Sequence, residues 1–566
     1  MIKQQVDVTK TFDDSFQRIT VLIRAADLLW RYEQDKARAV FTEAFDLAKE
    51  KEKDQKGTNS VLVWMEVPDQ RYVVIRAVAR RDPAWAKELT QQILKSANDS
   101  ERSAAKTFFD NSLTAARLLD SAIQMIDTDT NAAFDLARAS LNYPASSWLT
   151  RFLYRIAEGN QQAADQFYAQ ALAVYGDRPM REFLYLQAYP FAWRETLNTP
   201  IFSFYQVPAN FVTNQSLQRR FVQTLLRRAQ QTLEAQVDES DIYRNANGEL
   251  WPGKVQLLLG LTLLEPQVRA ALPDLSPALR QAREKILVSL PVETQKQLLQ
   301  PGREISTTPD QTFDEQMEAA QKQTDVYERD GLIATAVFRS EKENLGDVIQ
   351  AIDKIGDADL RNHLLEWLYF HRATAALKDK QFDEAERLTS KVEGVEQRAY
   401  LHTQIAKGLL VRSDLQPHGR EVLDEAISEA RKAGATIFAA RTLLTTSTLY
   451  AKIDLSRSIS VLADAINCIN RIDTPDFFSD DQAVEKRTER KGKGGRYQGE
   501  YTFRFYMPGL DPESTFREMA KIDFDTAMSQ SSALTDKFQR ALSTLALADV
   551  CLAQAQQQPK EKPKKK

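Results

Sequence analysis

QFDEAERLTSKVEGVEQRAYLHTQIAKGLL (residues 381–410) aligns without a gap to DFDTAMSQSSALTDKFQRALSTLALADVCL (residues 523–552). Phe382 falls on Phe524, Asp383 on Asp525, Ala385 on Ala527, Gln397-Arg398-Ala399 on Gln539-Arg540-Ala541, Ala406 on Ala548 and Leu410 on Leu552. NLGDVIQAIDKIGDADLRNHLLEWL (residues 344–368) fits the same frame, with Ile355 on Val392, Arg361 on Arg398, Leu364 on Leu401 and Leu368 on Ile405. Self-similarity at this period is the signature of stacked supersecondary units.

Each copy carries two apolar stripes at helical spacing. Ala385, Leu388 and Val392 lie three and four residues apart, as do Val348, Ala351 and Ile355, so each set occupies one face of a 3.6-residue turn. Leu401, Ile405 and Leu409 form a second stripe, matched by Ala541, Leu545, Ala548 and Leu552. Gly356-Asp357 and Glu393-Gly394 punctuate the joins, the chemistry of one helix stopping and the next starting. A single hairpin cannot bury both stripes, whereas stacked neighbours can, and small residues such as Ala385 and Ala399 admit close helix approach. The expectation is an all-α fold, an α-α superhelix (solenoid) of antiparallel helix hairpins, with one short β-prone insertion near residues 497–507.

Fainter copies extend the pattern. Ala25-Ala26 is followed by Ala37, Phe41, Ala44 and Ala48; Ala77 to Leu94 turns at Asp82-Pro83; Ala115 to Leu141 and Leu149 to Tyr175 form two more hairpin-like units. Two segments interrupt the array. Residues 189–211, YPFAWRETLNTPIFSFYQVPANF, hold Pro190, Pro200 and Pro208 among aromatics, which excludes a long helix and leaves an extended connection across helix ends or an aromatic recognition patch. Residues 473–515 hold EKRTERKGKGGR (485–496), whose six cations against two anions give a local charge of +4, followed by an aromatic run containing Tyr501 and Phe503. The plain reading of 485–496 is a solvated mobile loop; the functional one is a phosphate or single-stranded nucleic-acid site. The partition is an N-terminal array (1–188), a Pro/aromatic connection with a middle helical region (189–310), a C-terminal array (311–555) containing the 473–515 insertion, and a disordered basic tail (556–566).

The stretch Leu377-Lys-Asp-Lys-Gln-Phe-Asp-Glu-Ala-Glu-Arg-Leu388 resembles the opening of a tetratricopeptide-type repeat, and Ala163-Ala164 to Ala171-Leu172 after Glu158-Gly159-Asn160 is similar to it. The family's Trp-Leu-Gly-Tyr series and terminal Pro are missing here. About two thirds of the chain is repeat-like on this pattern. What the resemblance implies is a concave surface for a peptide or protein, without specific binding residues.

Composition narrows function further. The 566 residues are 43% hydrophobic and 27% charged with a net charge of -4, so the whole molecule has no basic field for nucleic acid, and nucleic acid is an unexpected partner. Cys468 and Cys551 lie in apolar helical patterns and supply no disulfide framework. The longest greasy stretch, Val255 to Leu264, is too short to cross a bilayer and reads as a buried helix; no transmembrane segment is expected. Met1 to Lys10 lacks a secretory apolar run, which places the chain in the cytoplasm as written, or outside it if a leader precedes this start. Phosphate-loop, nucleophile-elbow, zincin and CxxC motifs are absent. Asp127-Thr-Asp129-Thr-Asn131 opens like a calcium loop, but Ala132 and Arg138 stand where Gly and a bidentate Glu belong. His363, His371, His402 and His418 show no i,i+4 pairing. No catalytic, cofactor or metal residues are expected.

An Arg recurs near the start of the second helix, at Arg329, Arg361, Arg398, Arg441 and Arg540. It reads as a tie to a carboxylate or to the carbonyls ending the previous helix, or as a ladder that binds a ligand. The candidate partner-binding residues are therefore Arg361, Arg398, Arg441, Arg540, Lys491, Lys493, Arg496, Tyr501 and Phe503. The expected function is a non-enzymatic scaffold for a peptide or protein of unknown identity, with a ligand-binding, nucleic-acid-binding or enzymatic site at 473–515 as the alternative.

Overall fold

The structure, a computed structural model, describes residues 1–55, 69–101, 108–127, 129–146, 148–192, 205, 207–234, 243–244, 250–251, 253–291, 294–295, 312–341, 343–478 and 482–557. Its helices run in chain order as α1 (Ile2–Val8), α2 (Ser15–Leu29), α3 (Gln34–Gln55), α4 (Gln70–Ala79), α5 (Pro83–Glu101), α6 (Phe108–Met125), α7 (Thr130–Ser140), α8 (Trp148–Tyr175), α9 (Met180–Leu184), α10 (Gln215–Glu234), α11 (Gly253–Ala271) and α12 (Ser276–Ser289). They continue as α13 (Phe313–Gln321), α14 (Val326–Phe338), α15 (Leu345–Ile352), α16 (Ala358–Lys378), α17 (Phe382–Thr389), α18 (Val395–Leu409), α19 (Gln416–Ala433), α20 (Ile437–Tyr450), α21 (Leu455–Ile469), α22 (Pro512–Ala520), α23 (Phe524–Ser532) and α24 (Lys537–Gln557). Two antiparallel ribbons accompany them: β1 (Tyr243–Arg244) with β2 (Leu250–Trp251), and β3 (Ala483–Lys491) with β4 (Tyr497–Tyr506).

The helix starts follow side-chain capping. Asp325, Asn344, Asp357, Asp454 and Asp523 each accept a backbone N–H of the helix that follows, and Thr312 with Glu315 forms a reciprocal capping box ahead of α13. Such caps satisfy amides that have no partner within the helix. Asp129 does the same for α7, accepting from Ala132 N at 3.0 Å, so the calcium-like run is a helix start. Asn160 breaks α8 with φ -152° and accepts from Ala163 N, which turns the 149–175 segment at the Glu158-Gly159-Asn160 junction.

The chain divides into two compact units, Met1–Val40 with Pro309–Lys566, and Phe41–Thr308. This division departs from the 1–188, 189–310 and 311–555 partition read from sequence, because α1 and α2 pack with the far end of the chain. Val21 and Ala25 of α2 share a core with Phe538, Ala541, Leu542 and Leu545 of α24. Phe12 and Phe478 meet the Phe538 ring at 6.3 and 5.3 Å.

In the first unit the helices from α13 to α24 pack in register with the sequence: α14 touches α15 and α16, α18 touches α16, α17, α19 and α20, and α20 touches α21 and α22. This nearest-neighbour stack of hairpins is the α-solenoid arrangement. The stripes read from sequence form its core. Ala385, Leu388, Val392, Leu401, Ile405 and Leu409 are buried, as are Val348, Ala351, Ile355, Ala541, Leu545 and Ala548. Cys468 is buried, but Cys551 of α24 is exposed rather than packed, because it falls off the Ala541-Leu545-Ala548 face.

The second unit also stacks neighbours, α4 on α5 and α6, α6 on α7 and α8, and α10 on α11 and α12. Val255 to Leu264 lies inside α11, with Leu257, Leu261 and Leu264 buried. No described helix is long and apolar enough to cross a membrane. In the 189–211 connection Tyr189 and Phe191 are buried, and Tyr154 gathers Tyr189, Tyr205 and Phe211 within 5.1 to 5.3 Å, so these rings are packed rather than displayed. Trp193, Phe202 and Phe204 lie outside the described residues, as does most of the 556–566 tail.

The docking of α2 on α24 predicts that Phe538→Ala costs about 3 kcal/mol, the usual size for truncating a buried aromatic. Chemical denaturation checks it. An unchanged midpoint would show that the N-terminal helices do not complete this core.

Candidate functional site

Within the insertion 473–515, residues 483–506 form a paired ribbon rather than a mobile loop. Its basic segment 485–496, read from sequence as solvated chain, is strand β3 and a tight turn, held because β4 lays Phe503 and Phe505 into the helical core. Val484, Lys486, Thr488 and Arg490 stand opposite Phe505, Phe503, Tyr501 and Gly499. Gly494 and Gly495 take φ of 73° and 74°, a left-handed conformation that Gly adopts without strain, which explains the Gly-Gly pair at the turn.

The ribbon lies on α14 and α16. Phe503, Phe505 and Met507 enter the core formed by Leu364, Leu368, Phe370 and Val337. The Phe503 ring lies 5.6 Å from both Phe338 and His363. Phe503 is 0% exposed, so this candidate partner-binding residue is a core residue. Tyr501 is half-buried, with burial pushing its phenol upward, and Arg490 sits 5.9 Å over its ring.

Polar contacts fix the seat. Glu366 of α16, 3% exposed, accepts from Lys486 Nζ at 2.6 Å and from Gly394 N at 2.9 Å. One buried carboxylate thus joins the insertion to the start of the following helix, α18. A Cβ at Gly394 would collide with Gln397 Oε1 and lie 2.6 Å from Glu366 Oε1, so any larger residue there must displace one or both side chains. His363 Nδ1 and Thr488 Oγ1 share a hydrogen bond of 2.7 Å. His371 Nε2 donates to the Arg504 carbonyl at 3.4 Å, and burial pulls the His371 ring below its ordinary pKa. Sequence reasoning missed Glu366, Lys486 and His363 as partners, since nothing local marks a pairing across about 120 residues of chain.

These contacts consume most of the insertion's cations. Arg487 pairs with Glu485 at 2.9 Å and Glu500 at 3.7 Å, Arg504 with Glu485 at 3.2 Å, and Lys491 approaches Asp357 at 4.0 Å. Arg496 is exposed in the turn; the Lys493 side chain lies outside the described residues. The turn rests against α14, where a Cβ at Gly495 would stand 3.9 Å from the Tyr327 hydroxyl. Val326, Tyr327 and Tyr497 are all exposed there, Tyr497 at 65%.

The recurring arginines make one bond in three places. Arg361 Nη1 donates to Ile355 O at 2.9 Å, Arg398 Nη1 to Val392 O at 2.9 Å, and Arg540 Nη1 to Leu534 O at 3.0 Å. These acceptors are the residues that align in the three copies. Each guanidinium ties down a carbonyl of the short loop between the preceding helix and its own. Arg398 also reaches Glu393 O at 2.7 Å and Glu429 of α19 at 2.8 Å, which spans the join to the next hairpin. Arg329 and Arg441 break the rule. Arg329 contacts Asp330, which itself accepts from Gly356 N at 2.9 Å. Arg441 is 3% exposed and donates to Phe477 O at 3.1 Å; burial lowers its pKa. It lines a cleft with Glu396, Tyr400, Gln404 and Gly509 whose enclosed part has the size of about one water molecule.

Among the described residues no group of His, Cys, Asp and Glu is arranged to hold a metal. The chain matches no protein-family model and no curated protein. A solved structure described as a circular tandem repeat protein with novel repeat topology and enhanced subunit contact surfaces aligns over 98% of this chain and 99% of its own at 12% identity, with a TM-score of 0.15. A superposition that poor carries no weight for fold or function. The packing of the chain itself defines it as a helical-repeat protein of the α-solenoid class.

Arg398→Ala removes three hydrogen bonds at a hairpin join and should destabilise the protein by about 2 kcal/mol; Arg398→Lys should restore little, since an ammonium cannot reproduce the fork. Thermal and urea unfolding read this. Unchanged melting together with lost partner binding would make the arginine a ligand contact instead.

Proposed function

We propose that the protein is a non-enzymatic interaction scaffold that binds a peptide or protein partner on its helical-repeat surface. The observation that supports this most is the patch at the hairpin tip. The 493–495 turn packs on α14, where a Cβ at Gly495 would stand 3.9 Å from the Tyr327 hydroxyl, and Val326, Tyr327, Arg496 and Tyr497, next to that contact in sequence, are exposed. Exposed Tyr and Arg side chains are enriched among interface hot spots, and the ribbon that carries them is seated on α14 and α16. We read the hairpins as tetratricopeptide-like modules and the protein as cytoplasmic. Arg361, Arg398 and Arg540 then serve the stack, and Arg496 with Tyr497 faces the partner. The alternative, an anion or nucleic-acid site at the insertion, is less favoured because Lys486, Arg487 and Lys491 already face Glu366, Glu485 and Asp357.

A photo-crosslinking residue at position 497, compared with one at exposed Val411, tests the patch. The proposal expects a discrete partner adduct at 497 that Tyr327→Ala and Arg496→Glu abolish without changing the melting temperature. Equal adducts at both positions, or none at 497, would overturn it.

A further inference from the structure

The second unit carries an unbalanced cluster of charge. Glu265 of α11, 8% exposed as a side chain, is shared by three guanidiniums. Arg269 Nη2 lies 3.3 Å from Oε1, Arg280 Nε of α12 lies 3.4 Å from the same oxygen, and Arg283 Nη1 bonds Oε2. One carboxylate cancels one of three positive charges, leaving a formal +2 at a point on the surface. Glu284, beside Arg283 in sequence, pairs with none of them among the described residues. The Arg269 and Arg280 side chains are 63% and 52% exposed.

Each guanidinium spends a single donor of its five on Glu265, and these arginines make no other hydrogen bond or ion pair among the described residues. Three like charges held about one carboxylate repel each other, and a second anion relieves that repulsion. The planar fork of Arg matches tetrahedral oxyanions through paired N–H bonds. A dianion restores neutrality where a monoanion leaves one charge over.

We propose that Arg269, Arg280 and Arg283 form a binding site for a phosphate group, either free phosphate or a phosphoryl group carried on a side chain. Glu265 acts as the internal anion that gathers the three arginines when the site is empty. The exposed Arg269 and Arg280 supply the donors that reach the ligand. This site stands apart from the docking patch and does not depend on it.

Equilibrium dialysis of the full-length protein against radiolabelled inorganic phosphate, at constant ionic strength, tests the site. Saturable binding is expected, weakened at least about tenfold in Arg269→Gln/Arg280→Gln, a change that corresponds to about 1.4 kcal/mol. Both side chains are exposed, so this variant should melt as the parent does. Glu265→Gln removes the competing anion and should tighten phosphate binding. Competition by O-phosphoserine separates the two sources: stronger displacement than by unlabelled phosphate assigns a carried phosphoryl group, and equal or weaker displacement assigns the free ion. Absence of saturable binding, or equal binding by the double arginine variant and the parent, would overturn the proposal.

Discussion

A short amphipathic hairpin with apolar stripes on both helices cannot close a core of its own, and the architecture of this protein follows from that deficit. Leu401, Ile405 and Leu409 on one side and Ala385, Leu388 and Val392 on the other are buried only because neighbouring hairpins lie against them. The ends of such a stack are its weak points, since the last hairpin has a face and no successor. The chain meets this with α1 and α2, whose Val21 and Ala25 complete the core of α24. The α2 helix thus covers a face of α24 that would otherwise lie open.

Burial alone does not set the spacing between hairpins; hydrogen bonds at the joins do. Helix ends leave carbonyls and amides without partners, and two devices meet them here. Guanidiniums at Arg361, Arg398 and Arg540 take carbonyls of the loops that follow one helix. Buried carboxylates at Asp330 and Glu366 take the amides that begin another, at Gly356 and Gly394. Glu366 has a remaining oxygen, and Lys486 of the insertion fills it. The β-ribbon is therefore part of the join rather than an appendage.

The repeats were legible because their information is local and periodic. Stripe spacing, the punctuation at Gly356-Asp357 and Glu393-Gly394 and the three-way alignment placed α15 to α18, α23 and α24 with their core residues, and the alignment of Arg361, Arg398 and Arg540 pointed to a shared role. The insertion was legible in half: aromatics at Tyr501 to Tyr506 marked a strand, but its partner strand is charged at every position but Thr488 from Glu485 to Lys491 and reads as a loop. Lys486 and Thr488 face inward because Glu366 and His363 wait there, and those partners lie far away in sequence. Phe503 shows the same limit, since an aromatic run alone does not say which ring is buried and which displayed. The capping of α24 by α1 and α2 left no trace beyond ordinary amphipathicity.

Native-state hydrogen exchange on Leu401→Ala addresses the neighbour-dependence most directly. Leu401 is fully buried in the middle of the array, and its truncation loosens a core shared with the adjoining helices. The account predicts faster exchange in α18 and also in α16 and α19, fading toward α13 and α24. Faster exchange confined to α18, or a uniform rise across the whole unit, would contradict it.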